Sequence, residues 1–392
     1  MRGYGWWAGA LVALAAAAGC TARGPVEATD VREAMSTLVM VRAIAPDDET
    51  ASRALKDAWA ELDFCAAKLS RYEVKSDISR INQDAGQAFL TEVDPVTVSC
   101  LAAAKEVHDL TGGAFNPTVG PVLDLWREAE ERGREPADEE LQAAVALAAM
   151  DKVEIHAFTV QPYPVPRAGP PADASPPAGS LRPMNLVGLY AKGMKLDLGG
   201  IAKGYIAGRM ARRMQQAGAS AGLVAAGGDV FAFNERPPEL APPGGDRRWG
   251  VGVQDPRYGG DRKHLYSYLH IRDQAVDTSG HYERGYAVGG TRYSHIVDPR
   301  TGRPVNRALA SVTVVAPDPA TADALATGIA VLGVEKGLAL VEKLPGVECL
   351  LLEVPEAQLQ EPDPAKVELI AHRSSGFAAL EFTPGAAAPP HH

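Results

Sequence analysis

Lys195-Leu196-Asp197-Leu198-Gly199-Gly200-Ile201-Ala202-Lys203-Gly204-Tyr205 reads as a short strand, a glycine turn and the opening of a helix. A helix start gathers backbone N–H groups and the positive end of the dipole, which favours an anion such as phosphate, and Lys203 adds a full positive charge in the first turn. A glycine pair at such a junction is equally an ordinary turn, so the segment points to phosphate only alongside other signals. Working outward, short β-branched runs recur at 152–155, 195–198, 222–225, 250–254, 311–315 and 349–354, separated unevenly by helical stretches. That order predicts an α+β fold of mixed sheets with packed helices rather than a regular doubly wound sheet.

The helical signals are specific. Leu55, Ala58, Trp59, Leu62, Cys65, Ala66 and Leu69 repeat at the spacing of one buried helix stripe. Asp94-Pro95 supplies an N-cap and a first-turn proline for another helix, which stops at Gly112-Gly113. In Thr321-Ala-Asp-Ala-Leu-Ala-Thr327, Thr321 is placed to cap a helix, and Asp323 and Thr327 then share one face at i and i+4. A carboxylate and a hydroxyl are hard oxygen donors that suit Mg²⁺, which typically takes one or two carboxylates and completes its shell with phosphate and water. On the other reading, Asp323 complements the helix dipole and nothing more. Thr278-Ser-Gly-His-Tyr282 and the run from Tyr293 to Gly302 gather His, Tyr, Asp and Gly in loops beside strands, where binding residues collect. Asp298-Pro299-Arg300-Thr301-Gly302, Gly227-Gly228-Asp229 and the stretch 111–118 are also readable as plain turns.

The 392 residues carry 49 acidic against 39 basic side chains, a formal charge of −10, and no dense Lys/Arg stripe. Nucleic acid is excluded as an expected partner. Arg2, an apolar Ala-rich run over 6–18 and Gly19-Cys20 read as a lipoprotein signal peptide over 1–19, with Cys20 as the lipidated N-terminus. Residues 20–34 read as a tether, the folded domain spans 35–383, and the tail 384–392 reads as disordered. No other stretch reads as long and apolar enough to cross a membrane, since spanning takes about 20 apolar residues. A segment at about 157–193, rich in proline, reads as a surface insertion. Cys65, Cys100 and Cys349 show no metal-like spacing and read as buried thiols.

Taken in order, several of these pieces resemble one family, the ApbE-type FAD:protein FMN transferases. They are Ser70-Arg-Tyr72, Ser76-Asp-Ile-Ser-Arg-Ile-Asn82, Gly112-Gly-Ala-Phe-Asn-Pro-Thr-Val-Gly120 with Trp126, Leu196-Asp-Leu-Gly-Gly-Ile-Ala-Lys-Gly204, Gly227-Gly-Asp229, Trp249 to Pro256, Thr278-Ser-Gly280, Ser294-His-Ile-Val-Asp-Pro299 and Asp323-Ala-Leu-Ala-Thr327. The resemblance covers roughly residues 35–355. It implies two intimately associated subdomains forming a flavin cleft, similar to a T-fold. It implies Mg²⁺ held by Asp323, Thr327 and the backbone carbonyl of Ala202, with Lys203 and His295 contacting the flavin nucleotide. Met35, Tyr72, Asp229, Ser279, Gly280 and Ile296 are similar to positions lining the FAD cleft.

The sequence departs from the family pattern in three places. Met35-Ser36-Thr37 stands where Met-Gly-Thr is usual, Gly208 where an Asp follows the Lys-Gly-Tyr, and Asn116 where the Ala-Phe-Asp-Pro-Thr pattern has Asp. The implied reaction moves the FMN half of FAD onto a Ser or Thr hydroxyl of an acceptor protein and releases AMP, with His295 and Asp323 as candidate bases. Acceptors of the membrane redox-subunit type are implied, on a chain exported and lipid-anchored to a bacterial membrane, facing the periplasm or cell exterior. Two alternatives stay open: a Mg²⁺-dependent FAD pyrophosphatase, and a lipoprotein that binds flavin without chemistry.

Overall fold

The structure is a computed structural model that describes residues 24–160, 182–241, 245–259, 261, 263–280 and 285–383. It opens with β1 (Val26–Ala34), β2 (Thr37–Ala45), α1 (Asp48–Leu69), α2 (Asp77–Gln83), β3 (Thr91–Glu92), α3 (Pro95–Leu110), α4 (Gly120–Arg132) and α5 (Asp138–Leu147). The middle carries β4 (Val153–Val160), β5 (Arg182–Leu189), α6 (Ala202–Gln216), β6 (Ala221–Ala226), β7 (Asp229–Phe233), β8 (Trp249–Gln254), β9 (Leu265–Ile271) and β10 (Gln274–Gly280). The last third adds β11 (Gly285–Val288), β12 (Thr291–Ser294), β13 (Leu309–Ala316), α7 (Pro319–Val341), β14 (Glu348–Glu353) and β15 (Ile370–Arg373).

Eight strands make one antiparallel sheet in the order β1-β2-β6-β7-β10-β13-β14-β15. Its two faces are covered differently. Val39, Val41, Ala43, Phe233, Ala275, Val312 and Val314 point into the larger core with residues of α1, α3, α6 and α7. Ile44, Leu223, Val276, Val315, Leu350 and Leu352 point the other way, against the β8–β9 hairpin and Phe377. The period-two alternation along each strand sets this division. A third apolar cluster joins α4 and α5 to Tyr286, Tyr293 and Val297, and Trp126 Nε1 donates to Gly302 O at 2.7 Å, pinning the loop after β12. The fold is α+β, as the order of signals predicts.

The helices follow their sequence cues. Asp47 caps α1 by accepting from Thr50 N at 2.7 Å, and Ala51, Ala58, Trp59, Leu62 and Cys65 are buried along one stripe. Asp94 caps α3 by accepting from Val96 N at 2.9 Å. The three cysteines read as thiols, Cys65, Cys100 and Cys349, are free and buried.

Several expectations need correction. Residues 26–34 are not a tether: β1 pairs with β2 along its whole length, closed by Met35-Ser36 with φ of 50° and 59°, the two-residue turn in which both central residues take positive φ. β1 is an edge strand, and the charges that protect an exposed edge gave it the composition of a linker. The proline-rich insertion is narrower than 157–193, because β4 and β5 pair out to Val160 opposite Arg182. Residues 161–181 lie outside the described residues, as do the signal peptide over 1–19, Cys20 and the tail 384–392.

Lys195–Leu198 is extended but is no strand of a ladder: Asn82 brackets Leu196 through Nδ2 to its carbonyl at 3.0 Å and Oδ1 from its N–H at 2.6 Å. Asn82 meets both backbone groups of Leu196, while Lys195 forms a single parallel bridge with Val119 and Asp197 N donates to Pro117 O at 2.8 Å. Asp318, not Thr321, caps α7, accepting from Thr321 N at 2.8 Å, so Asp323 lies beyond the first turn. α7 is also long and apolar enough, by length and composition, to cross a membrane, with a mean hydropathy of 1.7. In the fold it packs on β10, β13 and α6 and carries the buried Asp323.

Candidate active site

β10 and α7 build the site between them. Ala275 of β10 joins the core on the helical side of the sheet, so Asp277 and Ser279, two and four residues on, face α7 as well. Two strand residues advance about 6.8 Å and four helical residues about 6 Å, so a strand and a helix lying together match rung for rung. Asp277 thus stands by Asp323, and Ser279 by Thr327, whose hydroxyls lie 3.4 Å apart. β7 adds Asp229 from the neighbouring strand.

α6 supplies the third wall. Gly204 N donates to Asp323 Oδ2 at 3.0 Å. A side chain at Gly204 would strike the carbonyl of Pro319 and come within 2.9 Å of Asp323 Cβ; the glycine is what lets the two helices meet. Gly200 does the same for the loop that leads into α6, where a Cβ would lie 3.0 Å from Thr327 Oγ1. Ala202 and Lys203 open α6. The Lys203 ammonium pairs with Asp229 Oδ2 and stands 3.8 Å from Asp323 Oδ1.

One oxygen from each of Asp229, Asp277 and Asp323 lies within 4.8 Å of the others, and all three residues are buried. Burial first, and the Asp229 charge second, push the Asp323 carboxyl up to about 7, with Lys203 opposing them. Burial likewise raises Asp229 above the usual carboxylate range, against the pull of Lys203. Burial disfavours the charged form of a carboxyl, and a neighbouring carboxylate adds to that for Asp323.

The other sequence-predicted residues lie on several different elements. Met35 packs on the main core at the β1–β2 turn, next to the Gly227-Gly228 turn, where Gly227 N donates to Leu38 O at 3.2 Å. Gly280 ends β10 and is buried. Ile296 is buried in the same core, its carbonyl accepting from Val305 N at 3.0 Å, and His295 beside it is half-buried.

Tyr72 is 71% exposed. Its hydroxyl accepts from Arg127 Nη2 at 3.3 Å. The adjacent Arg71 bridges Asp124 at 2.6 Å and Asp197 at 2.9 Å, tying this aromatic to the glycine loop before α6. Asp277 is the residue that sequence reasoning missed. Its signal was the alternation in Gln274–Gly280, which puts it on the same face as Ser279.

Residues 35–351 match the model of the ApbE family. The chain is 33% identical over 352 residues to the FAD:protein FMN transferase of Treponema pallidum (strain Nichols), spanning 88% of this chain and 91% of that protein. It is 32% identical over 286 residues to the FAD:protein FMN transferase of Escherichia coli (strain K12), 72% of each. Among solved structures, the flavin transferase ApbE from Vibrio cholerae superposes with a TM-score of 0.67 at 25% identity, covering 91% of this chain and 99% of that one. An ApbE protein from Thermotoga maritima gives 0.67 at 28%, covering 91% and 100%. With a family model spanning most of its length and relatives matched nearly end to end, the chain belongs to the ApbE family.

Proposed function

We propose that this chain transfers the FMN half of FAD to a Ser or Thr hydroxyl of an acceptor protein, releasing AMP. The observation that carries the proposal is the α6–α7 junction, where Lys203, Asp229 and Asp323 meet beside the Ser279–Thr327 pair at the start of a helix suited to an anion. The curated relatives matched above carry the name of this activity.

The donor set at the junction fits a hard divalent cation. It consists of oxygens, and Oδ1 of Asp229 and Oδ2 of Asp277 are buried with no hydrogen-bond partner. Asp323 and Thr327, with the carbonyl of Ala202, would hold Mg²⁺, which when bound neutralises charge on the two phosphates and on departing AMP. The chain's own residues position the reactants. Lys203 presents its ammonium to the pyrophosphate, and the opening turn of α6 faces the same charge. Met35, Tyr72, Ser279, Gly280 and Ile296 line the flavin side.

The acceptor oxygen forms the new bond to the FMN phosphorus as the bond to AMP breaks, AMP leaving with that electron pair. The hydroxyl proton passes to a base. Both His295 and Asp323 are candidates, and a carboxylate engaged with a cation is a weak base, which favours His295.

Asp323→Ala removes a carboxylate without disturbing the cap of α7, which belongs to Asp318. The expected outcome is a folded protein with at least a hundredfold less transfer, a loss on the order of 3 kcal/mol in the barrier. The assay is covalent flavin fluorescence on a denaturing gel after incubation with FAD, Mg²⁺ and an acceptor. Wild-type incorporation by this variant refutes the role. Free FMN and AMP with no labelled acceptor would mark a pyrophosphatase instead. Export and lipidation at Cys20, with the catalytic body facing the periplasm or cell exterior and serving membrane redox subunits, belong to the same proposal and are supported by the apolar run ending at Gly19-Cys20.

A further inference from the structure

The β7–β10 ladder pairs Gln274 with Ala232, Ala275 with Phe231 and Val276 with Val230. One more step sets Asp277 across from Asp229 at the start of β7. Like charges directly opposite one another on a sheet destabilise it, and here α7 lays a third acid, Asp323, over the pair. Asp229, Asp277 and Asp323 are 2%, 3% and 2% exposed, so water does little to screen them. Lys203 brings an ammonium to Asp229 and Asp323. That leaves one positive charge among three carboxylates, with Oδ1 of Asp229 and Oδ2 of Asp277 buried and unpartnered. An uncompensated buried ion costs several kcal/mol; Asp229 has the Lys203 ammonium, and Asp277 beside it, with a buried unpartnered oxygen, marks a place for something positive.

Building on the assignment of Mg²⁺ to Asp323 and Thr327, we propose that Asp277 is a further carboxylate of the divalent-cation site, so that this chain binds the cation through β10 as well as α7 before flavin arrives. A site holding one carboxylate leans on substrate phosphate to complete its charge. A second carboxylate supplies that charge from the protein and raises affinity in the absence of substrate. The rung pairing of Asp277 with Asp323 and of Ser279 with Thr327 puts four oxygen-bearing side chains along one line of contact between strand and helix. The candidate ligand atoms among the described residues are carboxylate and hydroxyl oxygens, which suit hard cations better than zinc or copper.

The experiment titrates Mn²⁺, followed by electron paramagnetic resonance, and Mg²⁺, followed by calorimetry, into the metal-stripped full chain without FAD. Wild type is expected to bind. Asp277→Asn, an isostere, is expected to weaken the Kd by roughly tenfold or more and to raise the Tm measured in EDTA, because a like charge has been removed from the cluster. Asp277→Ser serves as a second variant of the same prediction. Wild-type affinity in a folded Asp277 variant, or failure of the wild-type chain to bind without flavin, overturns the inference. Wild-type cation affinity in Asp323→Asn would instead overturn the underlying assignment of the cation to α7.

Discussion

Ser36 holds a φ of 59° at the second position of the β1–β2 turn, a conformation in which a side chain costs on the order of 1 kcal/mol and glycine costs little. The residue that looked like a departure from the family pattern is therefore a position of backbone strain. Ser36→Gly is expected to stabilise the protein by about 0.5–1 kcal/mol, read as a higher urea midpoint at unchanged slope. The gain stays modest because glycine also gives the unfolded chain more freedom.

Asp323 sets a pH dependence. Its carboxyl is pushed up to about 7 from an ordinary 3.8, by burial and then by Asp229, so the folded state holds a proton the unfolded state has released. The corresponding stability is fully present below the ordinary value and is lost as pH rises through about 7. In EDTA the Tm is expected to fall between about pH 4 and about pH 7 and level off above that, and Asp323→Asn should flatten that slope. An equal slope in wild type and variant would assign the effect to other groups.

Between elements, the closeness of α6 and α7 depends on Gly204, whose missing side chain leaves room for Pro319 and Asp323. Gly204→Ala usually favours a helix by about 1 kcal/mol; here the collision with a backbone carbonyl reverses the sign. A loss of about 2 kcal/mol or more in stability is expected, along with a larger loss of transfer than of FAD binding, because Lys203 is displaced from Asp323. Gain of stability in denaturant melts would show that the helices can separate without harm.

Legibility at this scale was uneven. The capped helices announced themselves through Asp94-Pro95 and the apolar stripe 55–69. β1 did not, since an edge strand faces solvent and Val26–Ala34 alternates weakly between polar and apolar. Lys195–Leu198 looked like a ladder strand because a short alternating segment reads the same whether a full ladder or a single bridge with Val119 and the Asn82 side chain meet its hydrogen bonds.

For the whole molecule, the eight-stranded sheet divides the chain into a helical layer holding the reactive groups and an opposite layer under the β8–β9 hairpin. Elements distant in sequence converge on one point: the opening turn of α6, the turn before β7, the end of β10 and the second turn of α7. On the proposal that Cys20 carries the lipid anchor, this body stays at a membrane surface through acyl chains. Cys20→Ser is expected to shift the exported chain from the detergent phase to the aqueous phase on phase partitioning, with transfer activity retained in solution. Equal partitioning of both forms would set that proposal aside.

The residues themselves declared what local chemistry determines: caps, turns, the helical face shared by Asp323 and Thr327, the anion-seeking start at Ala202-Lys203, and the ordered motifs that resemble the ApbE family. Only the tertiary structure decided which of these groups meet. Asp277 is an unremarkable acid in a strand until the antiparallel register sets it across from Asp229 and α7 brings Asp323 over both. The physical reason is range: propensity and capping act over a few neighbouring residues, whereas a buried charge is defined by what the rest of the chain places against it.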